Sequence, residues 1–174
     1  MKLQCTQCHV SAENLLPDGK VCSGCHTQGI PAFTPVRLKT NVVKFSHKQH
    51  LAMGNVAPVI AAAIDKKTYL SPKFAPAVRA GLNSTNACEG CHRGMQESTA
   101  VTQANLPQMA DCLVCHNKID PPFSCETCHA ANANLMPASH DSKWLDFHSS
   151  GKANLDRQSC QVCHGRQFTC RGCH

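Results

Sequence analysis

The five-residue word Cys-x-x-Cys-His occurs seven times and takes up all 14 cysteines of the chain, so no thiol remains for a disulfide. The copies are Cys5-Cys8-His9, Cys22-Cys25-His26, Cys88-Cys91-His92, Cys112-Cys115-His116, Cys125-Cys128-His129, Cys160-Cys163-His164 and Cys170-Cys173-His174. This word is the attachment signature of c-type haem. Two thiols add to the haem vinyl groups, the two-residue gap sets their separation, and the adjacent histidine reaches the iron as proximal ligand. Zinc ribbons and knuckles also use Cys-x-x-Cys pairs, but they do not require a histidine directly after the second cysteine. Here histidine follows in all seven copies although only 11 of the 174 residues are His, which selects haem over zinc. A thioredoxin-like redox site would need the pair only once.

Seven haems on 174 residues is one for about every 25 residues, a density unlike that of a conventional single-core domain. The porphyrins must then be the core. Six Phe, one Tyr and one Trp leave the chain short of the large apolar bodies that porphyrins would replace. The expected fold is mostly irregular, with short α-helices carrying the Cys-x-x-Cys-His turns, long connections, and little or no sheet.

The formal charge of +6 points to no nucleic acid and no membrane surface. Each haem carries two propionates, so seven add about 14 negative charges and reverse any steering argument drawn from the bare sequence. Haem is joined to cysteine outside the cytoplasm, which implies a periplasmic or extracellular protein. Met1-Lys2-Leu3-Gln4 leads into Cys5 with no apolar signal region, so a mature or partial form is expected. No run of 18 apolar residues occurs; Val56 to Ile64 is the nearest and far too short for a membrane span.

Three segments are expected: residues 1–46 as an N-terminal dihaem segment and connector, 47–129 as a trihaem module with a helical insertion at 51–87, and 130–174 as a C-terminal dihaem module. Pro17-Asp18-Gly19 marks a turn. Val42-Val43-Lys44-Phe45 reads as extended, with a short strand. In the insertion, Asn55 caps an apolar helix over Val56 to Ile64, and Ser71-Pro72 starts a second helix that Gly81 stops, a helical hairpin. Pro121-Pro122 bars helix between the fourth and fifth motifs.

Beyond the seven motif histidines stand four others, His47, His50, His140 and His148. His47 and His50 are three residues apart, hence on one face if helical, where each can reach a different iron. The stretch Val43-Lys44-Phe45-Ser46-His47-Lys48-Gln49-His50 resembles a segment of the class III multihaem cytochromes c, the trihaem and tetrahaem proteins of anaerobic respiration. In them Val-Lys-Phe-x-His-x-x-His precedes the haem motifs and supplies distal ligands. The resemblance implies that His47 serves the haem at Cys88-Cys91-His92 and His50 another of that group. The stretch from Leu51 to Ala87, without Cys or His, departs from the compact family pattern.

His140 and His148 precede the motifs at Cys160 and Cys170 in the same way, and all four spare histidines are expected as distal metal ligands in a haem-packed multihaem cytochrome c. Bis-His iron is six-coordinate and lies lower in potential than Met/His iron, which suits electron relay. Three haems are left without a distal histidine. Met53, Met95, Met109 and Met136 are candidates, although such methionines more often pack. No spare histidine lies near Cys5 or Cys22, so at least one of those two irons is expected to take its sixth ligand from another polypeptide or an upstream segment, or to stand open.

The expected function is therefore a heptahaem c-type cytochrome, with seven covalently bound haem c groups and no catalytic residue, relaying electrons along a row of closely spaced, mainly bis-His haems. Cys163 and Cys170 are at most about 25 Å apart even when the chain is extended, so neighbouring haems nearly touch. One alternative is a multihaem reductase with an open iron, for which an unusual motif such as Cys-x-x-Cys-Lys is absent. Another is a homo-oligomer, a filament or a larger cytochrome complex with ligands shared between chains. The expected partners are redox proteins or an extracellular electron acceptor.

Overall fold

A computed structural model describes residues 3–12, 17, 19–29, 38, 40–83, 85–117, 125–137, 140–150 and 156–165. Among these residues the regular structure is eight short α-helices: α1 (Cys5–Cys8), α2 (Gly19–Ser23), α3 (His47–Ala52), α4 (Ala57–Asp65), α5 (Ala75–Gly81), α6 (Met109–Cys115), α7 (Trp144–Ser149) and α8 (Arg157–His164). Single 3-10 turns cover Gln103–Asn105 and Cys125–Thr127. The fold is mostly helical and irregular, as expected. The extended run at Val42 contributes one isolated antiparallel bridge to His129, with the Val43 N–H donating to the Cys128 carbonyl at 2.9 Å. The expected hairpin helices fall within a few residues of their sequence signals as α4 and α5. Pro121-Pro122 and Asp18 lie outside the described residues.

The chain divides into two compact units that interleave in sequence. The first gathers Met1–Lys39, Phe45–Pro58 and Gly81–Pro107; the second gathers Thr40–Lys44, Val59–Ala80 and Gln108–His174.

In the first unit, α3 opens on Ser46, whose hydroxyl accepts from the Gln49 N–H at 3.3 Å. The helix stops before Gly54, which takes a φ of +83° that other residues rarely tolerate. Asn55 then ties two stretches together. Its Oδ1 accepts from the Ala57 N–H at 2.9 Å, and its amide donates to the Asn83 carbonyl at 3.1 Å. Ala57 is buried beneath this contact.

In the second unit, Ile60, Tyr69, Val78, Ala110 and Leu113 are buried. The Tyr69 hydroxyl donates to Asp111 Oδ1 at 2.8 Å. Asp111 Oδ2 also accepts from the Gln108 N–H at 2.7 Å, capping α6 at its first turn, where a carboxylate meets the positive end of the helix. α6 packs in turn on α8, which Asp156 caps through the Gln158 N–H at 3.0 Å. The Arg79–Asp65 pair, 3.1 Å apart, is exposed and contributes at most about 1 kcal/mol.

Candidate haem-attachment sites

Each described motif closes one tight turn, α-helical in some copies, 3-10 at Cys125–Thr127 and irregular from Cys88 to His92. In five copies the histidine N–H donates to the carbonyl of the first cysteine: His9 to Cys5 at 2.8 Å, His26 to Cys22 at 3.0 Å, His92 to Cys88 at 2.8 Å, His116 to Cys112 at 2.9 Å and His129 to Cys125 at 3.0 Å. The sixth copy lies wholly within α8. A helical turn sets residues i and i+3 on one face, so both thiols stand side by side with the histidine at the end of the turn. That is the arrangement a vinyl-linked porphyrin needs. Cys170, Cys173 and His174 lie outside the described residues.

Two of the spare histidines face motif histidines. His47 and His92 have ring centres 6.3 Å apart and planes 16° from parallel; for His140 and His164 the values are 6.4 Å and 19°. An iron bonded at about 2 Å to one nitrogen of each of two opposed imidazoles holds their centres about 6 Å apart. The donor pairs therefore have the spacing of a bis-His axial set. Burial, then the neighbouring charges of His92 and His50, pushes the pKa of His47 down, which favours the neutral imidazole that binds metal.

Backbone carbonyls orient the rings. His92 Nδ1 lies 3.1 Å from the Asn105 carbonyl, His129 Nδ1 3.1 Å from that of Asn41, His50 Nδ1 2.8 Å from that of Ser46, and His148 Nδ1 2.9 Å from that of Trp144. A carbonyl only accepts, so Nδ1 carries the hydrogen and Nε2 is the lone-pair nitrogen. Metal-binding histidines are commonly held in this way, the nitrogen away from the metal donating to a carbonyl or carboxylate that fixes the ring. His50 and His148 share this preparation with the motif histidines His92 and His129.

An aromatic ring accompanies each spare pair. Phe45 stacks on His50 at 4.3 Å and meets His47 edge-on at 4.7 Å. Trp144 stacks on His140 at 4.6 Å and on His148 at 5.6 Å, with planes 21° and 12° from parallel. Both aromatics precede a helical histidine by two to four residues, a signal available in the sequence. By contrast Met53 and Met136 are largely exposed, and Met95 and Met109 half-buried.

Motifs distant in sequence meet within each unit. The Asn86 amide donates to Cys5 Sγ at 3.6 Å, and burial, then the charge and hydrogen bond of Cys5, pushes the Cys88 thiol up. In the second unit, desolvation and then the nearby thiols of Cys125 and Cys160 push up the Cys163 thiol. Nothing in the sequence marks Asn86 as a residue that bridges two motifs, or Asn105 as the one whose carbonyl meets His92. Among the described residues no three His, Cys, Asp or Glu side chains converge as a metal site, and no helix is long and apolar enough to cross a membrane. No known protein family, curated protein or solved structure matches this chain.

Proposed function

We propose that this chain is a multihaem c-type cytochrome that relays electrons. The observation that carries the reading is the opposed pair of imidazoles, found twice, in each case between a spare histidine and the histidine of a Cys-x-x-Cys-His turn. Haem bound there would supply one-electron iron chemistry, with the paired histidines as the residues that would hold the iron. The cysteines fix each group covalently: Cys5 and Cys8, Cys22 and Cys25, Cys88 and Cys91, Cys112 and Cys115, Cys125 and Cys128, Cys160 and Cys163, Cys170 and Cys173. His9, His26, His92, His116, His129, His164 and His174 are the proximal ligands. His47 stands opposite His92 and His140 opposite His164, while His50 and His148 serve two further irons. The carbonyls of Asn105, Asn41, Ser46 and Trp144 hold ring orientation and, with it, potential. Such a protein works outside the cytoplasm with redox partners or an extracellular acceptor.

Intact mass under denaturing conditions tests this on a chain matured in a host that attaches haem c. The expected mass is that of the polypeptide plus seven haems. Fewer than six, or a metal-only adduct, overturns the reading.

A further inference from the structure

We propose that Asn86 is a positioning residue that holds the first attachment site directly against the third, so that the groups carried at Cys5-Cys8-His9 and Cys88-Cys91-His92 are immediate neighbours. The inference rests on the haem reading above and adds an order in space to it. One side-chain amide makes both contacts. Its nitrogen donates to Cys5 Sγ at 3.6 Å, and its oxygen accepts from the Cys88 N–H at 3.0 Å, across 81 residues of sequence on the Cys5 side. Sulfur keeps acceptor lone pairs in a thioether, so the first contact outlasts alkylation of Cys5. The second is an Asx turn that starts the third motif, and the Cys88 N–H it satisfies stands at the entry of that turn.

α1 is a firm partner for this clamp, because Gln4 and Gln7 close a reciprocal capping box with the Gln4 N–H on Gln7 Oε1 at 2.8 Å. α1 also packs on α2, which carries Cys22. The first site thus lies between the second and the third. Spacing along the chain, with the 61 residues 27–87 free of motifs, would instead join the third site to the fourth. The thiols of Cys5 and Cys88 are the ones brought together, so the two groups meet at their attached edges.

The test is a proton NOE map of the fully reduced holoprotein, with first-site signals identified by their loss in a Cys5→Ala/Cys8→Ala variant. Direct cross-peaks between thioether or meso protons of the first and third sites are expected. Asn86→Asp keeps the acceptor for Cys88 and drops the donor to Cys5; it should weaken those cross-peaks at least about two-fold while leaving those within the third site unchanged. First-site signals that correlate with the second site and not the third would overturn the placement. So would an Asn86→Asp map identical to the wild type. Denaturing mass on the same sample keeps the two readings apart: seven covalent haems without the cross-peaks refutes the placement alone, and no covalent haem refutes both.

Discussion

His140 and His164 hold their rings 6.4 Å apart and 19° from parallel, although one lies in irregular chain and the other ends α8. His47 and His92 reach nearly the same separation from different local structure, the first residue of α3 and a non-helical turn. Two unlike backbones arriving at one ring geometry point to the distance itself as the quantity the sequence specifies. Neither pair gains much from ring contact at such a range, since aromatic pairs are worth about 0.5–1.5 kcal/mol at their best. The shared iron proposed above would account for both.

The first prediction follows from that pairing. His47→Ala should leave covalent haem content unchanged and open one iron, so that about one haem in seven turns high-spin and binds carbon monoxide when reduced. His140→Ala should do the same at a different haem. Magnetic circular dichroism of the two variants and their double mutant would show additive high-spin signals. Wholly low-spin spectra in both single variants would defeat the assignment.

Trp144 supports the second prediction. It touches His140 and His148 through near-parallel rings, and its carbonyl accepts from His148 Nδ1. Two such ring contacts suggest that Trp144→Ala costs about 1–3 kcal/mol in a denaturant melt, with Trp144→Phe keeping much of it. The alanine variant should also broaden the low-spin electron paramagnetic resonance signals of the haems that these histidines are proposed to serve, because ring orientation is no longer fixed. A sharp, unshifted spectrum would show that Trp144 packs without orienting.

Much of the helical layout was legible because its signals are local. Asn55 precedes α4 and Gly81 ends α5, each acting within a turn of its own position. The candidate ligands were legible for a different reason: chemistry in this chain is written in two residue types with few other uses. What stayed hidden depends on closure between distant segments. His129 reaches the Asn41 carbonyl across 88 residues, and Cys5 reaches Asn86 across 81. Loop-closure entropy grows slowly with length, so sequence distance says little about which turns meet. The β-branched run at Val42 signals extended chain with a short strand, and it makes one isolated bridge, because a longer strand needs a partner with matching register.

Tyr69 and Asp111 give the third prediction. Their buried hydrogen bond joins the insertion to the turn that begins α6, three residues ahead of Cys112. Tyr69→Phe removes the donor to a buried carboxylate and should cost about 1.5–3 kcal/mol. Asp111→Ala also loses the cap on the Gln108 N–H, worth about 1 kcal/mol more. Because the two share one hydrogen bond, a double-mutant cycle should show strong coupling. Incomplete attachment at the fourth site should accompany the loss, visible as a six-haem species in the mass spectrum. Equal stability of all four proteins would remove the insertion from any role in supporting that site.

Gly90 and Gly24 occupy the same position in two motifs, Cys88-Glu89-Gly90-Cys91 and Cys22-Ser23-Gly24-Cys25, and the surroundings differ enough to make a controlled comparison. A Cβ on Gly90 would stand 3.0 Å from Asn55 Oδ1 and 3.3 Å from both the Ala57 nitrogen and the Ala87 carbonyl oxygen. Asn55 has little room to yield, since its oxygen accepts from Ala57 and its amide donates to Asn83. Backbone atoms block the other directions. Gly90→Ala should therefore cost about 1–3 kcal/mol by overpacking, and attachment at Cys88 and Cys91 should fall with it. On Gly24 the Cβ would meet the Val21 carbonyl oxygen at 3.4 Å, an ordinary contact. Gly24→Ala should stay within about 0.5 kcal/mol of the parent. Chemical denaturation at matched haem content reads both numbers. If the two substitutions cost the same, the close approach of Asn55 to the third motif is not what holds that turn in place.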